Sequence, residues 1–393
     1  MPPGSKQGAP GVGGSATPRP DVQRLAAANK PATKPAAPKL DAVAQGASEG
    51  FTPGPADFEL ATAGEKQCFI GQPKSVGYWA DALRRFRSNA VSMAALGVIA
   101  LLFLFAFVGP ALVPYTYNQQ IRTSMNLAPM NYSETELAQI DAGERVFPHM
   151  FGTDMHGRDT LVRTMMGARV SMVVGVAAAL LVLVIGSIYG AISGFAGGMV
   201  DNVMMRIVEV LSSIPEILVV LLLAVTLKPA LDGFVNANRG SILAAPVIVI
   251  GPSLIAIFIS FALLYWVGMA RIVRGQVLQL KEQEFVTAAR ALGAAGPRII
   301  RKHLLPNCIG SMIAATCLEI PTAIFLESFL SYLGVGVQAP LTSLGSMCSD
   351  ALGGMYTYTY RLIIPALLLL TLLLSFNLLG DGLRDALDPK LKK

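Results

Sequence analysis

The chain has 393 residues, 53% of them hydrophobic and only 14% charged, with a mean hydropathy of +0.54. Soluble domains carry roughly a quarter charged residues, so a soluble architecture is excluded and a membrane protein is expected. Lys and Arg outnumber acids 31 to 25; in so apolar a chain that excess reads as a bias toward one membrane face, and no nucleic-acid partner is expected.

Residues 1–75 are rich in Pro, Ala, Gly, Ser and Lys, a composition that cannot bury enough surface to offset ordering entropy, and they are expected to form a disordered cytoplasmic tail. No apolar run near Met1 resembles a signal peptide, which predicts a cytoplasmic amino terminus. Residues 76–89 follow as an interfacial amphipathic helix: Trp79, Leu83 and Phe86 share one face, while Arg84, Arg85 and Arg87 flank it for contact with membrane lipid.

Residues 90–393 form the membrane domain. Its apolar runs predict six spans, near Ala90 to Val113, Val170 to Ile192, Ile207 to Leu227, Ile242 to Met269, Cys308 to Tyr332 and Leu362 to Leu379. With the tail inside, Lys and Arg concentrate in residues 1–89, at Arg206, from Arg271 to Lys302 and after the last span. They are sparse outside, so both termini are expected to be cytoplasmic.

The largest external segment, 114–169, holds an acidic cluster and then Gly152-Thr153-Asp154, a turn signal. Asp154, Arg158, Asp159, Arg163 and Arg169 can pair there near the membrane surface. Within the spans, Glu216 beside Pro215, and Glu319 and Glu327 around Pro321, are costly in hydrocarbon unless they face protein or water. They line a polar path, or else bond neighbouring helices or sit at the membrane interface, and the two prolines are expected to kink their helices.

Between the fourth and fifth runs lies a basic segment, 271–307. Val286, Ala289, Leu292 and Gly293 recur at helical spacing, Gly293 can end that helix, Pro297 suits the start of a second, and Pro306 is expected to stop it. Nothing elsewhere signals catalysis or a cofactor. The four cysteines (Cys68, Cys308, Cys317, Cys348) and three histidines (His149, His156, His303) are scattered, so no metal or disulfide framework is expected. No Gly-x-x-x-x-Gly-Lys-Ser/Thr phosphate loop occurs in the sequence.

The order Ala288-Ala289, Gly293, Leu305-Pro306 resembles the so-called EAA loop of ABC-importer permeases. Thr287 and His303, where the generic pattern has Glu and Ile, match the oligopeptide/dipeptide branch. Gly152 through Ser171 resembles that branch's GTD-x-x-GRD signature, and Gly380 through Lys390 its terminus. Ala339 and Leu344 depart from its Pro and Trp. The resemblance implies an all-α, six-span permease of the type I ABC-importer fold in a bacterial inner membrane, without its own ATPase site. It further implies a heterodimer with a B-type permease, two ABC ATPase subunits that bind ATP and Mg, an extracytoplasmic substrate-binding protein and a peptide substrate.

In that family the loop docks on the ATPase subunit, which assigns coupling to Glu284, Phe285, Thr287, Ala288, Ala289, Arg290, Gly293, Arg298, His303 and Pro306. The external signature lies below the substrate-binding protein, where a peptide would enter. A secondary transporter with proton-carrying Glu residues predicts inverted repeats, and an intramembrane enzyme predicts a clustered nucleophile or metal ligands; neither pattern is visible in the sequence.

Overall fold

Asn89 separates the first two helices. The computed structural model describes residues 77–242 and 244–387; the predicted tail, Cys68 and the end of the carboxyl-terminal signature at Asp388 to Lys390 lie outside the described residues. α1 (Tyr78–Ser88) stops because Asn89 is extended, and the Asn89 side chain accepts the Val91 and Ser92 N–H groups to cap α2 (Ala90–Phe107). α1 buries Ala82, and Tyr78 donates to the Leu387 carbonyl at 2.9 Å, fixing α1 beside the end of the last helix with Trp79 and Leu83 turned outward.

Among the described residues, six stretches are long and apolar enough to cross a membrane: Ala90–Ala111, Thr160–Ala196, Glu216–Ala237, Pro252–Leu280, Gly296–Tyr332 and Tyr360–Leu387. The number matches the expectation, but several boundaries do not. α3 (Glu134–Asp141) is a short helix in the connection after α2, and α4 (Thr160–Ala196) begins well before Val170 because Asp159 caps it, accepting the Val162 N–H at 2.9 Å. Arg163 and Arg169 therefore ride on α4 rather than on the preceding connection.

The third span is broken where it was expected to run on. α5 (Gly198–Ser212) ends before Pro215, whose extended backbone precedes α6 (Glu216–Ala237), so Pro215 separates two helices instead of kinking one. α7 (Ala245–Ile250) and α8 (Pro252–Leu264) follow, and α9 (Trp266–Leu280) carries the fourth span onward, so residues 271–280 are helix, not loop. α10 (Glu284–Ala291) and α11 (Gly296–Ile299) lie between the fourth and fifth spans.

Pro306 does not stop the helix it was expected to stop. A π-turn, Ile300–Leu304, joins α11 to α12 (Leu305–Tyr332), and the Leu305 N–H reaches back to the Ile300 carbonyl. Pro306 then falls in the first turn of α12, where its missing N–H costs little. α13 (Leu344–Ala351) and α14 (Tyr360–Leu387) complete the fold.

α4 is the central element: α9, α12 and α2 pack along it, and α14 lies against α12 and α2. One core gathers Ile257, Phe261, Ala323 and Leu330; a second joins Val182, Met269, Val273 and Val277 to Val286, Ile299 and Leu304. The second core ties the helices between spans four and five to the ends of α4 and α9.

Candidate functional site

α10 stands on Val286, which is fully buried, while Glu284, Phe285, Thr287, Ala288 and Arg290 are exposed and Ala289 is half-buried. Val286 alone contributes about 1.5–3 kcal/mol through burial. Gly293 ends α10 at φ 80°, with its N–H on the Arg290 carbonyl and the Ala294 N–H on the Ala289 carbonyl, a Schellman closure that only a left-handed residue completes. Leu292, expected on the buried face, is instead 89% exposed, because the helix ends before it. Arg290 lies 5.3 Å over the Phe195 ring at the end of α4. Arg298 and Pro306 are exposed and His303 is half-buried. The arrangement is a firmly seated knob with an exposed, partly apolar outer face.

Behind the knob, Arg274 on α9 forks onto both Asp201 oxygens at 2.5 Å, and the Ser193 hydroxyl donates to the same carboxylate. The bonds from Arg274, helped by Ser193, hold the Asp201 carboxyl below its usual range against the effect of burial.

The three predicted membrane carboxylates separate into two groups. Glu216, exposed in the first turn of α6, Glu319, half-buried on α12, and Tyr265 come within electrostatic reach of one another. Glu327 does not join them. It is fully enclosed and accepts hydroxyls from Ser331 at 2.7 Å, Ser171 at 2.9 Å and Ser328 at 3.2 Å, so it bonds α12 to α4.

At the far end of α4, Asp154 is the hub of a buried ion network. It accepts from Arg163 at 2.5 Å, from the Arg158 side chain at 2.7 Å and from the backbone N–H groups of His156 and Arg158. Burial raises the Asp154 pKa, but the Arg163 charge and these bonds outweigh it, leaving the carboxyl below its usual range. Arg163 also reaches Asp350 at 3.1 Å, a half-exposed acid at the end of the small cavity between Asp154, Thr160 and Arg361. Arg169 is committed elsewhere: it donates to the Ala106 and Phe107 carbonyls, closing the end of α2.

Asp159 belongs to a cluster that sequence reasoning missed. His149 is fully buried, with Nδ1 2.7 Å from Asp159 and Nε2 3.0 Å from Glu136, and Tyr115 stacks on its ring at 4.7 Å. Histidine read as scattered along the chain offers no periodic signal for such a convergence.

The family model described as "Binding-protein-dependent transport system inner membrane component" matches residues 184–393, and "N-terminal TM domain of oligopeptide transport permease C" matches residues 77–129. The oligopeptide transport system permease protein OppC of Bacillus subtilis is 44% identical over 86% of this chain and 97% of its own length. The dipeptide transport system permease protein DppC of the same organism is 43% identical over 81% of this chain and 88% of its own. OppC of Escherichia coli K12 is 40% identical, covering 79% and 91%. A solved inward-facing MetNI methionine ABC transporter covers 58% of this chain and 96% of its own at 21% identity and TM-score 0.41. With matches along nearly the whole length of these relatives, the six-span chain belongs to the oligopeptide/dipeptide permease family of binding-protein-dependent inner membrane transport components.

Proposed function

We propose that the chain is one permease subunit of an ATP-driven importer of oligopeptides or dipeptides, forming half of a translocation pathway with a B-type permease. The observation that carries this reading is the 44% identity across 97% of an oligopeptide permease, accompanied in this structure by a seated helical knob between the fourth and fifth spans. Two ABC ATPase subunits hold ATP and Mg; their closure pushes on the knob through Glu284, Phe285, Thr287, Ala288, Ala289, Arg290, Gly293, Arg298, His303 and Pro306. Because Val286, Ile299 and Leu304 share a core with Met269, Val273 and Val277, a push at the knob is carried into α9 and α4 rather than dissipated in a loop.

In this reading both termini are cytoplasmic and the Asp154, Arg158, Asp159, Arg163 region faces outward, below a substrate-binding protein. Glu216 and Glu319 offer negative charge to the ammonium end of a passing peptide. Arg84 and Arg87 of α1 meet lipid phosphates, with Trp79 and Leu83 in the interface.

The test is reconstitution of this chain with its B-type permease, ATPase pair and binding protein in proteoliposomes. Labelled peptide should accumulate only with ATP and with every component present. Accumulation by this chain alone, or none by the full set with intact ATPase activity, overturns the reading.

A further inference from the structure

His149 sits between two carboxylates in a way that fixes its charge. Its Nδ1 faces Asp159 at 2.7 Å and its Nε2 faces Glu136 at 3.0 Å, and the ring is completely shielded from solvent. A neutral imidazole has one N–H and must turn a lone pair toward one of these oxygens; only the imidazolium can donate to both. Neither carboxylate is free to turn away. Asp159 uses its other oxygen to cap α4 through the Val162 N–H, and Glu136 uses its other oxygen for the Ser133 N–H in the capping box of α3, while its inner oxygen also takes the Ser124 hydroxyl.

We propose that protonated His149 is a latch that fastens the α3 segment to the start of α4, and that the latch opens as the pH around it rises. The groups facing the ring from every packed element are Glu136 of α3, Asp159 at the head of α4 and the Tyr115 phenol from the connection after α2. Tyr115 is pushed up to about 12, foremost by burial and then by the Glu136 and Asp159 charges, so it stays neutral throughout the relevant range.

The direction of the switch follows from the two partners. Burial pulls the His149 pKa down, but the bonds and charges of Asp159 and Glu136 win and raise it. Its stabilisation is complete below the ordinary histidine value of about 6.5 and is lost as pH climbs through the raised one. Burial pushes Glu136 up, but the Ser133, His149 and Ser124 bonds win and lower it, so its contribution is lost as pH falls through that lowered value, on the opposite side from His149. The latch is therefore closed in mild acid and loosens on the alkaline side. Losing the proton leaves two buried carboxylates around a ring that can satisfy one of them.

The chain has three histidines, so the full chain carrying His156→Gln and His303→Gln, labelled with isotopic histidine and assembled with its partners, gives one imidazole signal. We expect it to titrate clearly above about 6.5, and amide exchange in residues 133–152, corrected for intrinsic rates, to rise roughly tenfold or more across the same transition. Glu136→Gln should lower the titration point, and His149→Gln should remove the exchange step. A signal titrating at or below about 6.5, or an exchange step absent from the wild-type cap, overturns the latch, and both are read without the His149 variant. In cells the step should follow external pH under the orientation given above. A step that follows internal pH instead leaves the latch standing and refutes that orientation.

Discussion

Arg274 on α9 and Asp201 on α5 form a two-toothed ion pair, with Nε and Nη2 each 2.5 Å from a separate carboxylate oxygen. The geometry locks the short helix after span two against the helix that leads to the knob. The Asp201 side chain is 9% exposed and that of Arg274 31%, so solvent screens the pair only partly.

Asp201→Ala should therefore destabilise the purified protein by about 2 kcal/mol, since it strands a guanidinium and the Ser193 hydroxyl together. Thermal unfolding in detergent measures this. The Asp201 carboxyl is held low in the folded state, so its contribution is present above a pH of about 4 and fades as pH falls through the folded value. Wild type and Asp201→Asn should consequently draw together as pH falls below about 4; a gap that does not narrow in acid argues against this linkage.

Gly190 supplies the next prediction. A Cβ there would run into the Ala270 carbonyl and the Arg274 amide of α9, whereas Gly97 on α2 has nothing within 4 Å. Gly190→Ala should cost about 1–3 kcal/mol by forcing α4 and α9 apart, while Gly97→Ala leaves stability unchanged or slightly higher. Equal unfolding temperatures for the two variants would show that the crossing can relax.

The carboxylates inside the spans should part company when neutralised. Glu327→Ala leaves three serine hydroxyls without their acceptor and opens a void, so folded yield should fall sharply. Glu216→Gln and Glu319→Gln should leave yield intact and change peptide uptake. Normal uptake by both, with a stable but inactive Glu327→Ala, would reverse the assignment.

The sequence made the six spans legible because each is an apolar run of bilayer length, and it made α10 and its closing glycine legible because helical spacing and a left-handed residue are local signals. What stayed hidden depends on distant neighbours. Pro306 read as a stop because its missing N–H is local, yet the π-turn ahead of it places it where no N–H is needed. Glu327 looked like its two companions until Ser171, far away in sequence, supplied a partner. His149, Glu136 and Asp159 share no period at all, and only the fold of the connection between α2 and α4 brings them together.

Gly293 offers the sharpest test of the knob, because space and backbone make opposite demands there. No atom would meet a side chain at this position, so a steric account predicts tolerance. Its φ of 80° predicts the reverse: an ordinary L residue costs about 1 kcal/mol or more, asparagine less, and a β-branched residue most. Uptake should therefore fall in the order Gly293→Asn, Gly293→Ala, Gly293→Val, with membrane insertion unchanged, because the Schellman closure sets how α10 presents Phe285 and Leu292. Wild-type uptake by the valine variant would mean that the exposed face can shift freely and that the closure does not transmit force.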